Sequence, residues 1–122
     1  MNDYNFKGSY RAKLEEITCG SEEDLRVKLN VDLGFVLYYG ERFRLEGIAV
    51  NDPVAAGEYL HGILPREGRW PLRIETRMDS QGYCATIYLW QSDNLGAQEV
   101  CVNDLLVKEG FAVYKTDSSA YN

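Results

Sequence analysis

The sequence predicts an α+β protein, mainly β, built as a five-stranded barrel of the OB type with two short helices. Three observations predict it. The chain has 122 residues, 45% of them hydrophobic and 12% aromatic, which is enough to bury one core in a single domain over 1–122. Residues 25–33 alternate without a fault, Leu25, Val27, Leu29, Val31 and Leu33 on one face and Arg26, Lys28, Asn30 and Asp32 on the other. The patterns run in the order three strands, a helix, two strands and a helix. A closed sheet with one helix after its third strand suits that order, because closure removes free edges.

Each element has its own signal. Between Ser9 and Thr18, Tyr10, Ala12 and Leu14 oppose Arg11, Lys13 and Glu15, and Ile17 then breaks the phase. A bulge is expected at Glu15-Glu16. Cys19 to Asp24 reads as a turn, and the strand from Leu25 to Leu33 follows. Gly34 and Gly40 bracket Phe35 to Tyr39, a strand continuation or hairpin arm. The third strand is expected from about Glu41 to Ile48, with Phe43 and Leu45 inward. Asp52 reads as a helix N-cap and Pro53 as a first-turn residue. The helix carries a stripe of Val54, Leu60 and Leu64 with Gly57 and His61, and ends before Pro65. Leu72, Ile74 and Thr76 alternate with Arg73, Glu75 and Arg77 in a fourth strand. Ser80 to Gly82 turns the chain into a fifth strand, Tyr83 to Trp90, rich in aromatic and β-branched residues. Gln91 to Gln98 reads as a polar loop, Asn103 as the cap of a second helix, and Gly110 as its left-handed stop. The core is expected over about 10–115, with a loose polar tail from Thr116.

Composition narrows the function. Nineteen acids against thirteen bases give a formal charge of −6, which opposes avid binding of nucleic acid, whose affinity comes from Lys and Arg at phosphates. No apolar run is long enough to span a bilayer, so no membrane role is expected. Met1 to Tyr4 lacks the basic-then-apolar order of a signal peptide. Cys19, Cys84 and Cys101 are an odd number without paired spacing, and free thiols in a cytoplasmic setting are expected.

Several passages carry a resemblance. Arg44-Leu45-Glu46-Gly47-Ile48 and the run from Val102-Asn103-Asp104-Leu105 to Gly110-Phe111-Ala112 resemble the strand end and glycine-stopped helix of the staphylococcal (micrococcal) nuclease-like family. Asp32-Leu33-Gly34-Phe35 and Asp79-Ser80-Gln81-Gly82-Tyr83 are similar to two further stretches, in the family order. The family's C-terminal third helix has no counterpart. The resemblance implies an OB barrel and a Ca²⁺-dependent phosphodiesterase site, in which carboxylates hold a hard cation and two arginines stabilise phosphate charge.

Position by position, the implied site is degenerate. Arg44 matches the first arginine, whereas Tyr83, which brings no positive charge, stands at the second. Ser21-Glu22-Glu23-Asp24 replaces the acidic metal loop, so Glu23 and Asp24 are the candidate metal ligands. Ala49 takes the position of a metal-binding Asp and can ligate nothing. Asp52 falls at the general-base Glu, although its capping signature gives it a structural use. No cofactor is therefore expected, with Ca²⁺ reserved for the alternative that the chain is a nuclease with rearranged ligands.

Apart from the resemblance, Arg66, Arg69, Arg73 and Arg77 form the one basic cluster, with Trp70 and Tyr83 beside it. Together they suggest a stacking-plus-phosphate surface, the alternative being strand arginines paired with Glu67 and Glu75. His61 has no second histidine to form a catalytic or zinc pair. The expected function is a binding module, for a protein partner or a weakly held single-stranded nucleic acid, that has lost phosphodiesterase activity.

Overall fold

The computed structural model describes residues 8–19, 25–65, 71–80, 82–93 and 96–115. β1 (Gly8–Cys19), β2 (Leu25–Gly34) and β3 (Leu37–Leu45) form an antiparallel meander, followed by β4 (Ile48–Val50) and α1 (Pro53–Ile63). β5 (Leu72–Asp79), β6 (Gly82–Asp93), β7 (Gly96–Cys101), α2 (Val102–Lys108) and β8 (Ala112–Tyr114) complete the chain. The sheet runs β3-β2-β1-β5-β6-β7, and an additional parallel pairing of β3 with β6 closes five strands into a barrel. That is the expected OB-type α+β architecture with two helices. β7 extends the sheet beyond the barrel, and β4 pairs with β8 in a separate two-stranded sheet.

Alternation builds the core. Leu25, Val27, Leu29 and Val31 are buried from β2, Ile74 and Leu72 from β5, and Ala85, Ile87 and Leu89 from β6. Burying each of these Leu, Ile and Val side chains contributes about 1.5–3 kcal/mol. The bulge in β1 falls where the phase break put it, with the register shifting between Leu14 and Glu16. α1 starts as its cap signature requires, the Asp52 carboxylate accepting from the Ala55 amide at 3.2 Å. Its buried face keeps Gly57, Leu60 and Leu64 of the expected stripe and adds Ala56, while Val54 and His61 are exposed. Small residues win there because helix and barrel wall lie close, a Cβ on Gly57 falling 3.2 Å from Cys19 Sγ.

Three boundaries differ from expectation. β3 begins at Leu37, not Glu41, and stops at Leu45, where Gly47 (φ +81) turns the chain into β4. The polar segment from Gln91 to Gln98 is largely the β6–β7 hairpin, stabilised by ladder bonds to which side-chain polarity is indifferent. Asn103 is not the cap of α2. Cys101 holds the cap position without a side-chain bond, and Asn103 is buried inside the fold.

Asn103 instead stitches the barrel seam. Its Oδ1 accepts from the Ile87 amide at 3.0 Å, and its Nδ2 donates to the carbonyls of Glu46 and Ala85 at 3.0 and 3.1 Å. At the other end of α2, the Gly110 amide donates to Val107 and the Phe111 amide to Leu106, with Gly110 at φ +91. This is the Schellman closure that a terminal glycine permits.

Two stability outcomes follow. Asn103→Ala leaves the Ile87 amide buried without its partner, and should destabilise by about 3 kcal/mol or more, since each orphaned buried group costs about 1–3 kcal/mol. Urea unfolding monitored by circular dichroism measures it. Gly110→Val places a β-branched residue at a left-handed position and should cost at least about 1 kcal/mol by the same assay.

Candidate functional site

The two positions matched to catalytic arginines sit on opposite sides of the barrel wall. Arg44 lies between Phe43 and Leu45, both in the core, so its side chain points outward. There its Nη2 approaches Cys84 Sγ at 3.2 Å. Tyr83 alternates with Cys84 and packs against the core from inside, its ring edge-to-face with Phe43 at 5.9 Å. Arg44 and Cys84 are register partners in the parallel seam, so their neighbours on each strand are held to opposite faces. A single phosphate cannot be clamped between them.

Of the remaining matched positions, Asp52 is engaged in the structure, spending its carboxylate on the α1 cap, and Ala49 is an exposed residue of β4. Glu23 and Asp24, like Trp70, Arg66 and Arg69, lie outside the described residues. Among the described residues, no group of three or more His, Cys, Asp or Glu side chains is placed to hold a metal ion.

Arg73 and Arg77 are on the outer face of β5, as the alternation requires, but both are paired. Arg73 forks onto Glu99, Nε to Oε2 at 2.8 Å and Nη2 to Oε1 at 3.1 Å, and its Nη1 reaches Glu75 at 2.9 Å. It also stacks over the Tyr88 ring at 4.2 Å. The hydrogen bond from Arg73 holds the Glu99 carboxyl below its usual range, and the Glu99 and Glu75 partners raise the Arg73 guanidinium above its own. Arg77 pairs with Glu46 at 2.8 Å. A shallow cavity of about 350 Å³ beside Arg77 is lined by both Glu46 and Glu75, which would repel a phosphate. Of the pairing expected as the alternative, that of Arg73 with Glu75 is present, with Glu99 and, at Arg77, Glu46 as further partners, while Glu67 lies outside the described residues.

A different site is assembled at the open mouth of the barrel. Inward positions of all five barrel strands line a cavity of about 240 Å³: Tyr10 from β1, Val31 and Leu33 from β2, Tyr39, Glu41 and Phe43 from β3, Thr76 from β5 and Tyr83 from β6. Barrel mouths are common ligand sites, since the sheet supplies converging side chains on a rigid frame. Glu41 is the one carboxylate in this lining, accepting from the Tyr39 hydroxyl at 3.2 Å and from the Arg42 amide at 3.0 Å. Its charge raises the Tyr39 hydroxyl above the usual tyrosine value, with desolvation adding to it.

Beside the mouth projects the β2–β3 hairpin. Its turn residues, Phe35 (φ 53) and Val36 (φ 63), both occupy the left-handed region. They are 96% and 78% exposed, and Leu33, Leu37, Tyr38 and Tyr39 are exposed around them. The Asp32 carboxylate accepts from the Gly34 amide at 2.9 Å and fixes the neck of the turn.

The mouth is not evident from the sequence, because the pattern places the start of the third strand at Glu41. Extending the period of Phe43 and Leu45 backwards puts Glu41, Tyr39 and Leu37 on the same face. No family model, curated protein or solved structure matches the chain significantly. Among the described residues, no helix is long and apolar enough to cross a membrane.

Glu41→Gln should lower the Tyr39 ionisation toward its ordinary value near 10, because the first cause of the shift is removed. A raised tyrosine contributes stability that is complete below the unfolded value and lost as pH rises through the folded one. The variant should therefore lose less of its stability in alkali than the parent. Ring-carbon NMR of Tyr39 against pH measures the shift, and an unchanged midpoint would mean that Glu41 does not act on it.

Proposed function

We propose that the chain is a nuclease-like OB barrel without phosphodiesterase activity that serves as a protein-interaction module. The observation that carries this reading is the pairing of an apolar mouth with an exposed, strained apolar hairpin, while Arg44 and Asp52, two positions matched to catalysis, are engaged with Cys84 and the α1 cap. Exposed apolar patches of this kind mark interaction surfaces more often than chance. A β-branched residue such as Val36 in the left-handed region is an outlier that persists where surrounding structure enforces it, commonly at functional sites. The net charge of −6 and the ion pairs of Arg73 and Arg77 support a protein rather than a nucleic acid as partner.

The catalytic arm of the test is release of acid-soluble nucleotides from single-stranded DNA, with and without millimolar Ca²⁺. No release is expected. An Arg acting on a phosphoryl transition state can supply on the order of 10³-fold, and Tyr83 has no such charge. Turnover that vanishes with a chelator and with Arg44→Ala would replace this reading with the nuclease alternative.

The binding arm uses selection from a random peptide library. The parent should enrich peptides, and the double variant Phe35→Asn, Val36→Gly should not. The same variant relieves two left-handed side chains and should be more stable by about 1–3 kcal/mol in urea unfolding. Retained enrichment by a stabilised variant would exclude the hairpin as the binding element.

A further inference from the structure

We propose that the barrel mouth is a cation-selective pocket that takes a methylated lysine side chain of a basic protein partner laid along β3. The inference rests on the protein-interaction reading and names what that module recognises. Four aromatic rings, those of Tyr10, Tyr39, Phe43 and Tyr83, share the cavity with the Glu41 carboxylate. Aromatic faces carry negative charge density and attract alkylammonium groups held within about 6 Å of the ring centre, more strongly when water is excluded. A carboxylate at the rim of such a ring of aromatic faces adds a full negative charge to the attraction for a cation entering the pocket. Among the described residues, no Lys, Arg or His forms an ion pair with Glu41. The Glu41 charge raises the Tyr39 hydroxyl above its ordinary value, as a negative charge at the mouth does.

Size and chemistry select within the cations. The volume of about 240 Å³ is below the roughly 300–1,000 Å³ of sites for whole small molecules, and suits one side-chain head. A plain ammonium is strongly hydrated and resists entry, whereas methylation spreads its charge over apolar surface. A guanidinium is planar and fits a carboxylate as a fork, whereas a rounded alkylammonium head presents its charge to several ring faces at once.

The backbone beside the pocket favours a peptide as the bearer of that head. From Leu37 to Phe43, β3 is bonded to β2 on one side, and β6 joins its other side only at Arg44 and Leu45. Among the described residues this edge is open to an added strand, whose main-chain bonds supply affinity while the pocket supplies specificity. The exposed Phe35 and Val36 border the same edge, and the net charge of −6 draws a basic segment toward it.

The test is calorimetric titration and ring-proton NMR of the full chain with three probes. They are a basic peptide carrying one trimethyllysine, the same peptide with a neutral tert-butyl isostere at that position, and free choline. The trimethyllysine peptide should bind about tenfold or more tightly than the isostere and move the ring resonances of Tyr10, Phe43 and Tyr83. Glu41→Gln, nearly isosteric and checked for folding by circular dichroism, should reduce that preference about tenfold. An isostere that binds as well as the cation would overturn the charge selectivity. Choline binding as tightly as the peptide would overturn the peptide source, and unmoved rings with all three probes would overturn the pocket. Library peptides that bind without any cationic head would remove this inference alone, whereas an empty library together with chelator-sensitive cleavage would remove the interaction reading beneath it.

Discussion

The barrel depends on one short seam. Four of its five strand junctions are antiparallel ladders, but closure requires β3 to meet β6 in parallel, and only Arg44 with Cys84 and Leu45 with Ala85 do so. So short a parallel pairing is weak by itself. It is reinforced by the Glu46 amide donating to the Ala85 carbonyl at 3.0 Å, and above all by Asn103. That side chain spans Glu46 on one strand end and Ala85 and Ile87 on the other. Such a buried amide, fully satisfied, specifies one arrangement, because any other would orphan its partners in a low-dielectric interior. α2 is thus less a cover for the barrel than a clasp on it, and its Schellman stop at Gly110 sends the chain back to pair β8 with β4.

Once the seam fixes the register, the pleat decides what each side chain can do. Tyr83 and Cys84 are neighbours in sequence, yet one joins the mouth and the other lies under Arg44 on the outer wall. The outer face neutralises its guanidinium groups locally, with Arg73 on Glu99 and Glu75 and Arg77 on Glu46. These exposed pairs add little to stability. Their effect is on binding: a phosphate would have to displace a bidentate carboxylate already in place on Arg73. The inner face at the mouth shows the opposite balance, with a carboxylate and four rings.

The sequence was most legible where burial is one-sided. The alternation of Leu25 to Val31, the slip at Glu15-Glu16 and the Asp52-Pro53 helix start each express a local rule that the tertiary structure obeys. Illegible features were those in which a distant partner overrides the local rule. Asn103 has a capping side chain at a helix start, and only the approach of β6 gives it a better use. Gln91, Gln98 and Glu99 are polar, and only a neighbouring strand makes them a ladder. The positions matched to catalysis show a related effect. Motif matching places residues along the chain but does not say on which face of a wall they emerge, and Arg44 and Tyr83 emerge on different ones. Glu41 carried no motif, and its place in the lining follows from β3 starting four residues earlier than its polar content suggested.

The hairpin tip is the place where local rules are broken without a packing reason. A two-residue turn with both φ angles positive is ordinarily made with Asn-Gly, because a Cβ there costs about 1–2 kcal/mol per residue. Phe35-Val36 accepts that cost twice and gains no burial in return, since both side chains face solvent. Against a total stability of about 5–15 kcal/mol for a domain of this size, that is a substantial fraction. It is held by the long β2–β3 ladder and by Asp32 at the neck, neither of which requires apolar residues at the tip. Folding therefore explains how the strained turn survives but not why it is made of Phe and Val. The interaction surface proposed above, presenting rigid apolar groups beside an edge of β3 that is open among the described residues, would account for it. A turn whose backbone is already constrained has less conformational entropy to lose when a partner covers it.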